Sequence, residues 1–220
     1  MLNAVVETGL WLVFLVSVLF GTAGRLDWPA AWHFVAANAA LAVVGFVVMD
    51  PELIRERAKP GGPTRRWDRW VSALMLLFSL PAPLVLAGLD ARFGWSPRFP
   101  AALERAALGV YLLGQGVGLW AAHSNRFFAA FVRVQSERGH RVVSSGPYAW
   151  IRHPGYAGGA LALVAAPLSL GSLWGLLPLP IGVGLLVLRL LWEERTLAEE
   201  LDGYREYAAR VRWRLLPGIW

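Results

Sequence analysis

The chain has 220 residues, 56% of them hydrophobic and only 16% charged, where a soluble domain carries about a quarter; this excludes a water-soluble globule and a disordered chain. The absence of cysteine excludes a disulfide framework, a thiolate nucleophile and a Cys-ligated metal. The net charge of +6, in a chain with a mean hydropathy of +0.47, reads as arginines marking the cytoplasmic side of a bilayer, not as a nucleic-acid face.

Lys, Arg, Asp and Glu leave five long gaps. Residues 8–24 (17 residues), 28–49 (22), 70–89 (20) and 106–125 (20) each fit one membrane crossing, which needs roughly 20 apolar residues. Residues 8–24 follow Glu7 rather than a basic segment, and Arg25-Leu26-Asp27-Trp28 is a poor cleavage site, so they read as a first span and not a signal peptide. Lys59-Pro60-Gly61-Gly62-Pro63 reads as a loop. Gly114, Gly116 and Gly118 allow close helix approach in the fourth span.

The fifth gap, residues 153–188, is 36 residues long. As one helix it would reach roughly 54 Å, too long for a hydrocarbon core of about 30 Å. Pro167, Gly171, Pro178 and Pro180 interrupt it, which predicts a helical hairpin turning near residues 170–173, its second arm running toward Trp192. Beyond it Leu197, Leu201, Tyr204, Ala208 and Val211 recur at helical spacing with charges between them, which predicts one amphipathic helix over residues 193–212.

The expected fold is all-α: a polytopic bundle of about six transmembrane helices with a C-terminal hairpin and a cytoplasmic tail helix. Residues 1–122 form a four-helix membrane region, and residues 123–220 carry the loop, hairpin and tail. Residues 50–70, 123–153 and 192–220 hold 16 of the 21 basic residues. A six-crossing map places all three on one face, which the positive-inside rule makes cytoplasmic.

The chemistry-bearing stretch runs from His140 to Gly158. Gly146-Pro147 and Pro154 restrain it, so Arg152 and His153 fall at the N-terminus of an apolar helix, where backbone N–H groups favour an anion. The bland alternative is a boundary arginine snorkelling to headgroups. Glu193 and Glu194 follow the hairpin's second arm and point about 100° apart on a helix, so one of them faces inward. The hairpin returns both glutamates to the face that carries Arg152 and His153. Among His33, His123, His140 and His153 none pair at metal-ligand spacing.

The pattern His140, Val143, Gly146, Tyr148, Arg152, His153, Pro154, Tyr156 and Gly158, followed by Glu193, Glu194 and Leu197 and by Gly203, Tyr204 and Tyr207, resembles the isoprenylcysteine carboxyl methyltransferase family and its wider relatives, the integral-membrane phospholipid methyltransferases. The resemblance implies S-adenosylmethionine as cofactor, held at the cytosolic face. It implies cofactor contacts at His140, Val143, Gly146, Tyr148, His153, Tyr156 and one of Glu193 and Glu194. It implies catalytic roles for Arg152, Glu193 and Glu194, with Arg152 positioning an acceptor carboxylate.

The acceptor so implied is lipophilic: an isoprenylcysteine-like carboxylate or another isoprenoid or lipid, reached from the surrounding membrane lipids. A phospholipid amine, a small thiol, or a sterol-type reductase reaction with NADPH on a related architecture are the alternatives. No nucleic-acid partner is expected.

Overall fold

The computed structural model describes residues 2–57, 66–129 and 131–220; the Pro-Gly loop expected at residues 59–63 lies outside them. The described residues form nine α-helices and three single 3-10 turns, and no strand. The helices are α1 (Leu2–Ala23), α2 (Pro29–Val48), α3 (Pro51–Arg57), α4 (Arg66–Ser79), α5 (Pro81–Phe93), α6 (Ala101–Ser124), α7 (Pro154–Ser169), α8 (Leu179–Glu200) and α9 (Tyr204–Arg210). Proline opens α2, α3, α5 and α7, where a missing N–H costs nothing.

Among the described residues four segments are long and apolar enough to cross a membrane: Ala4–Ala23, Pro29–Val48, Trp67–Phe93 and Trp174–Glu200. The chain is a multi-pass membrane protein. Two of the six expected crossings fall outside this set. Helix α6 has the length, but Gln115, His123 and four glycines dilute its apolar residues, and α7 has only 16 residues, about 24 Å of rise.

The stretch 70–89, expected to make one crossing, lies within the single candidate span Trp67–Phe93; the helix breaks inside it, ending at Ser79 and restarting at Pro81 with Leu80 outside helical geometry, because Pro81 lacks the N–H that would continue the ladder. One local expectation is corrected. The tail 193–212 is not one helix. Helix α8 ends at Glu200, Gly203 takes φ +79°, and α9 begins at Tyr204. Left-handed backbone suits glycine and stops the helix.

The core lies where α1, α2, α5, α6 and α7 meet, around Leu15, Leu19, Phe34, Leu84, Tyr111 and Ala162. Helices α6 and α7 cross in backbone contact: a Cβ at Gly114 would sit 2.6 Å from the Gly158 carbonyl and 2.8 Å from Ala162 N. Small residues at such a crossing let dispersion hold helices that lipid cannot drive together. Helix α7 ends at a tight turn around Gly171, and α8 runs back beside it, bringing Glu193 to Tyr156.

Candidate functional site

The loop before α7 is pinned by the tail. The N–H groups of Arg152 and His153 donate to the carbonyls of Trp213 and Arg214 at 2.9 and 3.0 Å. The Arg152 side chain, 8% exposed, donates through Nε to Glu194 Oε1 at 2.6 Å and through Nη1 to the carbonyls of Val211 and Arg212 at 2.9 Å. Glu194 also meets His153 Nε2 at 3.2 Å and accepts from Arg214 Nε at 2.7 Å. One half-buried carboxylate thus ties α8, the start of α7 and the C-terminal segment together. Burial of such a group is tolerable only when its lone pairs are filled, as here.

Glu193 points elsewhere. Tyr156 Oη donates to its Oε2 at 2.6 Å and accepts from Arg189 Nη1. Arg189 Nε bonds Asp68 Oδ1 at 2.9 Å, and Asp68 Oδ2 accepts from the Val132 N–H at 2.8 Å. Asp68 is 0% exposed. This chain of charges locks α4, α8, α7 and the segment at residue 132 into one geometry. The adjacent glutamates therefore divide the work: Glu193 lines a cavity, and Glu194 supports its wall from behind.

That cavity holds about 370 Å³, within the range of small-molecule sites. Its aromatic side comprises Phe127, Phe128, Phe131, Tyr148, Tyr204 and Tyr207; its polar side includes His140, Arg141, Arg152, His153 and Glu193. His140 stacks on Phe127 with centroids 4.4 Å apart, and its Nδ1 accepts from the Gln135 N–H at 3.1 Å. Tyr207 Oη donates to the Tyr148 carbonyl at 2.8 Å. The Tyr204 hydroxyl is buried and has no hydrogen-bond partner among the described residues. Buried polar groups are rarely left this way, so the cavity wall holds an unfilled donor.

Burial pushes the His140 pKa down, helped by Arg133 and Arg138 and opposed by Glu137, so its imidazole stays neutral and accepting. Burial raises the Tyr148 and Tyr204 hydroxyls above the ordinary tyrosine value, and lifts Tyr207 to about 12. All three act as protonated hydrogen-bonding groups at neutral pH.

A second cavity of about 850 Å³ lies among α1, α2, α4, α6, α7 and α8. Its walls are mostly apolar, among them Trp11, Phe34, Leu41, Met75, Leu119 and Leu163. Arg57, Gly155 and Tyr156 line both cavities, so the two adjoin at the N-terminus of α7 and the end of α3.

Of the site residues read from the sequence, His140, Val143, Tyr148, Arg152, His153, Tyr156 and Glu193 line the first cavity. Gly146 does not: it packs on the end of α6, where a Cβ would meet Ser124 Oγ at 2.5 Å. Arg57, Asp68 and Arg189 were missed. A lone arginine in the apolar second arm of a hairpin was a usable signal for Arg189, since charges within spans need a partner. Asp68 and Arg57 sit in a basic run that otherwise only reports orientation.

Residues 107–199 match the isoprenylcysteine carboxyl methyltransferase (ICMT) family. The chain is also similar to a Lamin-B receptor of Drosophila melanogaster, 31% identical over 100 residues. That alignment covers 42% of this chain and 13% of the receptor.

Proposed function

We propose that this chain, which carries an ICMT-family domain over residues 107–199, is a membrane methyltransferase that uses S-adenosylmethionine on a lipophilic acceptor, most simply the carboxylate of an isoprenylcysteine-like molecule. The observation that carries the reading is the junction of two unlike cavities, one polar and aromatic, one apolar, at Gly155 and Tyr156. A water-soluble donor and a lipid-soluble acceptor need such a meeting place, because transfer requires reacting atoms about 3–3.5 Å apart.

The polar cavity fits the cofactor on its own chemistry. Aromatic faces suit a sulfonium cation, Glu193 suits amino or ribose groups, and the unpartnered Tyr204 hydroxyl supplies a further contact. His140, Val143, Tyr148, His153 and Tyr156 complete the wall, with Gly146 shaping the loop behind it. When bound, the cofactor supplies a methyl carbon to an acceptor lone pair as the carbon–sulfur bond breaks, the electron pair staying on sulfur, so a carboxylate acceptor surrenders no proton. The protein's task is then to align, dehydrate and hold charge. Tyr156 fixes the Glu193 carboxylate. Arg152 and Glu194 act together, holding the tail over the site.

The membrane arrangement that goes with this reading has six crossings, α6 and α7 included, with both termini and the polar cavity on the arginine-rich cytoplasmic face. The region 1–122 supplies most of the apolar chamber, and 123–220 supplies most of the cofactor wall.

Calorimetry of the purified protein with S-adenosylhomocysteine, followed by methyl-transfer assays on prenylcysteine, phospholipid-amine, thiol and isoprenoid-acid acceptors, tests the reading. Binding and transfer to a lipophilic carboxylate are expected. Binding of NADPH in place of S-adenosylhomocysteine would replace it with the reductase alternative.

A further inference from the structure

Five arginines line the first cavity: Arg57, Arg133, Arg141, Arg152 and Arg189. Three are committed to carboxylates. Arg133 bonds Glu137, Arg152 bonds Glu194, and Arg189 bonds Asp68. Among the described residues Arg57 and Arg141 make no ion pair. Arg141 faces only the polar cavity, whereas Arg57 also faces the apolar one.

Arg57 ends α3. Its guanidinium lies over the Phe128 ring, 5.1 Å from the centroid, and Nη1 reaches the Phe128 carbonyl at 3.4 Å. Phe128 in turn packs on Gly155, where a Cβ would come within 2.8 Å of the ring. The ring thus sets Arg57 beside the N-terminus of α7, at the boundary of the two cavities. The side chain is exposed and so open to a ligand, and the protein packed beside it lowers its pKa from the ordinary arginine value. Among the described residues no carboxylate meets this cation, and an anion brought to it gains a charge-assisted, two-pronged hydrogen bond.

We propose that Arg57 binds the anionic head of the acceptor, a carboxylate borne on an apolar tail that occupies the chamber of α1, α2, α4, α6, α7 and α8. The inference rests on the methyltransferase reading and deepens it. It transfers the acceptor-gripping role from Arg152, whose Nε already holds Glu194 and whose Nη1 holds tail carbonyls, to a residue outside the ICMT-matched span. It also accounts for release. A methyl ester is uncharged, so the product loses the grip of Arg57 while keeping its affinity for the bilayer.

The test uses the full chain in lipid nanodiscs, with S-farnesyl-N-acetylcysteine and its carboxamide as probes and S-adenosylhomocysteine measured separately. The wild type should bind the acid about tenfold or more tighter than the amide. Arg57→Gln should abolish that preference and leave S-adenosylhomocysteine affinity unchanged; Arg57→Lys, which keeps the charge but not the fork, should retain part of it. Thermal melts establish that both variants fold. An acid preference that survives Arg57→Gln, or a wild type that does not distinguish acid from amide, overturns the proposal. So does loss of S-adenosylhomocysteine affinity in Arg57→Gln, since Arg57 would then hold the donor's own carboxylate. A wild type that prefers the acid through Arg57 but binds no S-adenosylhomocysteine would instead sink the methyltransferase reading and leave the Arg57 site standing.

Discussion

The two ends of the helix bundle bury carboxylates in opposite ways. At one end Asp90, 3% exposed, accepts from the Ser96 N–H at 2.7 Å and from the hydroxyls of Ser96 and Ser172 at 2.5 Å. Ser172 Oγ passes the pattern on by accepting from the Gly175 N–H at 3.0 Å. These small neutral donors close the turn between α7 and α8 tightly. At the other end Asp68, Glu193 and Glu194 are met by arginine, histidine and tyrosine. Long cationic side chains reach their partners from a distance and so can frame an open space. The first arrangement seals the bundle; the second holds a cavity of about 370 Å³ between two charge networks. Satisfying a buried carboxylate is a requirement of both, and the size of the donor decides whether room for a ligand remains.

Arg152→Ala should show the largest effect. It leaves the half-buried Glu194 with one strong partner fewer and frees the carbonyls of Val211 and Arg212. Leaving a buried charge uncompensated costs about 3–5 kcal/mol; Glu194 keeps Arg214 and His153, so the loss should lie at or below the low end of that range, and the tail should detach from the loop before α7. Thermal unfolding and limited proteolysis at residues 204–220 measure the loss, and S-adenosylhomocysteine affinity should fall with it. A variant that keeps its melt and its tail protection while losing turnover would instead restore Arg152 as a direct acceptor ligand.

Asp90→Ala sharpens the contrast from the sealed end. Three donors lose their acceptor, of which only the Ser172 hydroxyl belongs to a buried residue, so the cost should be about the 1–3 kcal/mol of one unsatisfied buried group, while S-adenosylhomocysteine affinity should stay at the wild-type value because the cavity networks do not involve Asp90. Altered affinity in a well-folded Asp90→Ala protein would show that the two ends are coupled.

The open end was only partly legible in the sequence. The overlong gap at residues 153–188 and the paired glutamates were enough to bring Arg152, His153 and the Glu193–Glu194 pair together. What spacing could not tell is which anion Arg152 meets: the structure gives it the protein's own Glu194. The break at Gly203 was hidden because Tyr204 and Tyr207, buried beyond it, keep the apolar rhythm of the helix before it. Asp68 and Arg57 come from the far side of the chain, and pairings across 64 residues, such as Val132 with Asp68, leave no local mark. At the sealed end Pro81 did stand in the sequence, but composition alone treated residues 70–89 as one stretch.

Tyr204→Phe separates stability from binding at the open end. The hydroxyl is buried and unpartnered among the described residues, so its removal should leave the ligand-free protein unchanged or stabilise it by up to about 1 kcal/mol. With S-adenosylhomocysteine the sign should reverse, because the hydroxyl then has an acceptor to lose; a loss of about tenfold in affinity corresponds to 1.4 kcal/mol. Melts with and without the ligand read both quantities. Equal ligand-induced stabilisation in the variant and the wild type would remove Tyr204 from the cofactor wall.

The smallest effect should be a pH dependence confined to the open end. Burial, then Arg133 and Arg138, hold the His140 pKa below its ordinary value, against Glu137. A histidine so depressed contributes stability that is fully present above the unfolded value of about 6.5 and is lost as pH falls through the lower folded value. Protonation places a hydrogen on Nδ1, which can then no longer accept from the Gln135 N–H. Gln135 is 2% exposed and also binds the Phe127 carbonyl, so the segment that carries the cavity's aromatic wall should loosen. S-adenosylhomocysteine affinity should therefore be flat above the ordinary histidine value of about 6.5 and decline only at pH below it. His140→Phe keeps a ring to stack on Phe127 but has no acceptor, so its affinity should be lower throughout and lack the acid decline. Asp90→Ala should retain the wild-type profile, since it leaves His140 and its neighbours in place. An acid decline that persists in His140→Phe would assign the titration to another group and detach it from the cavity's aromatic wall.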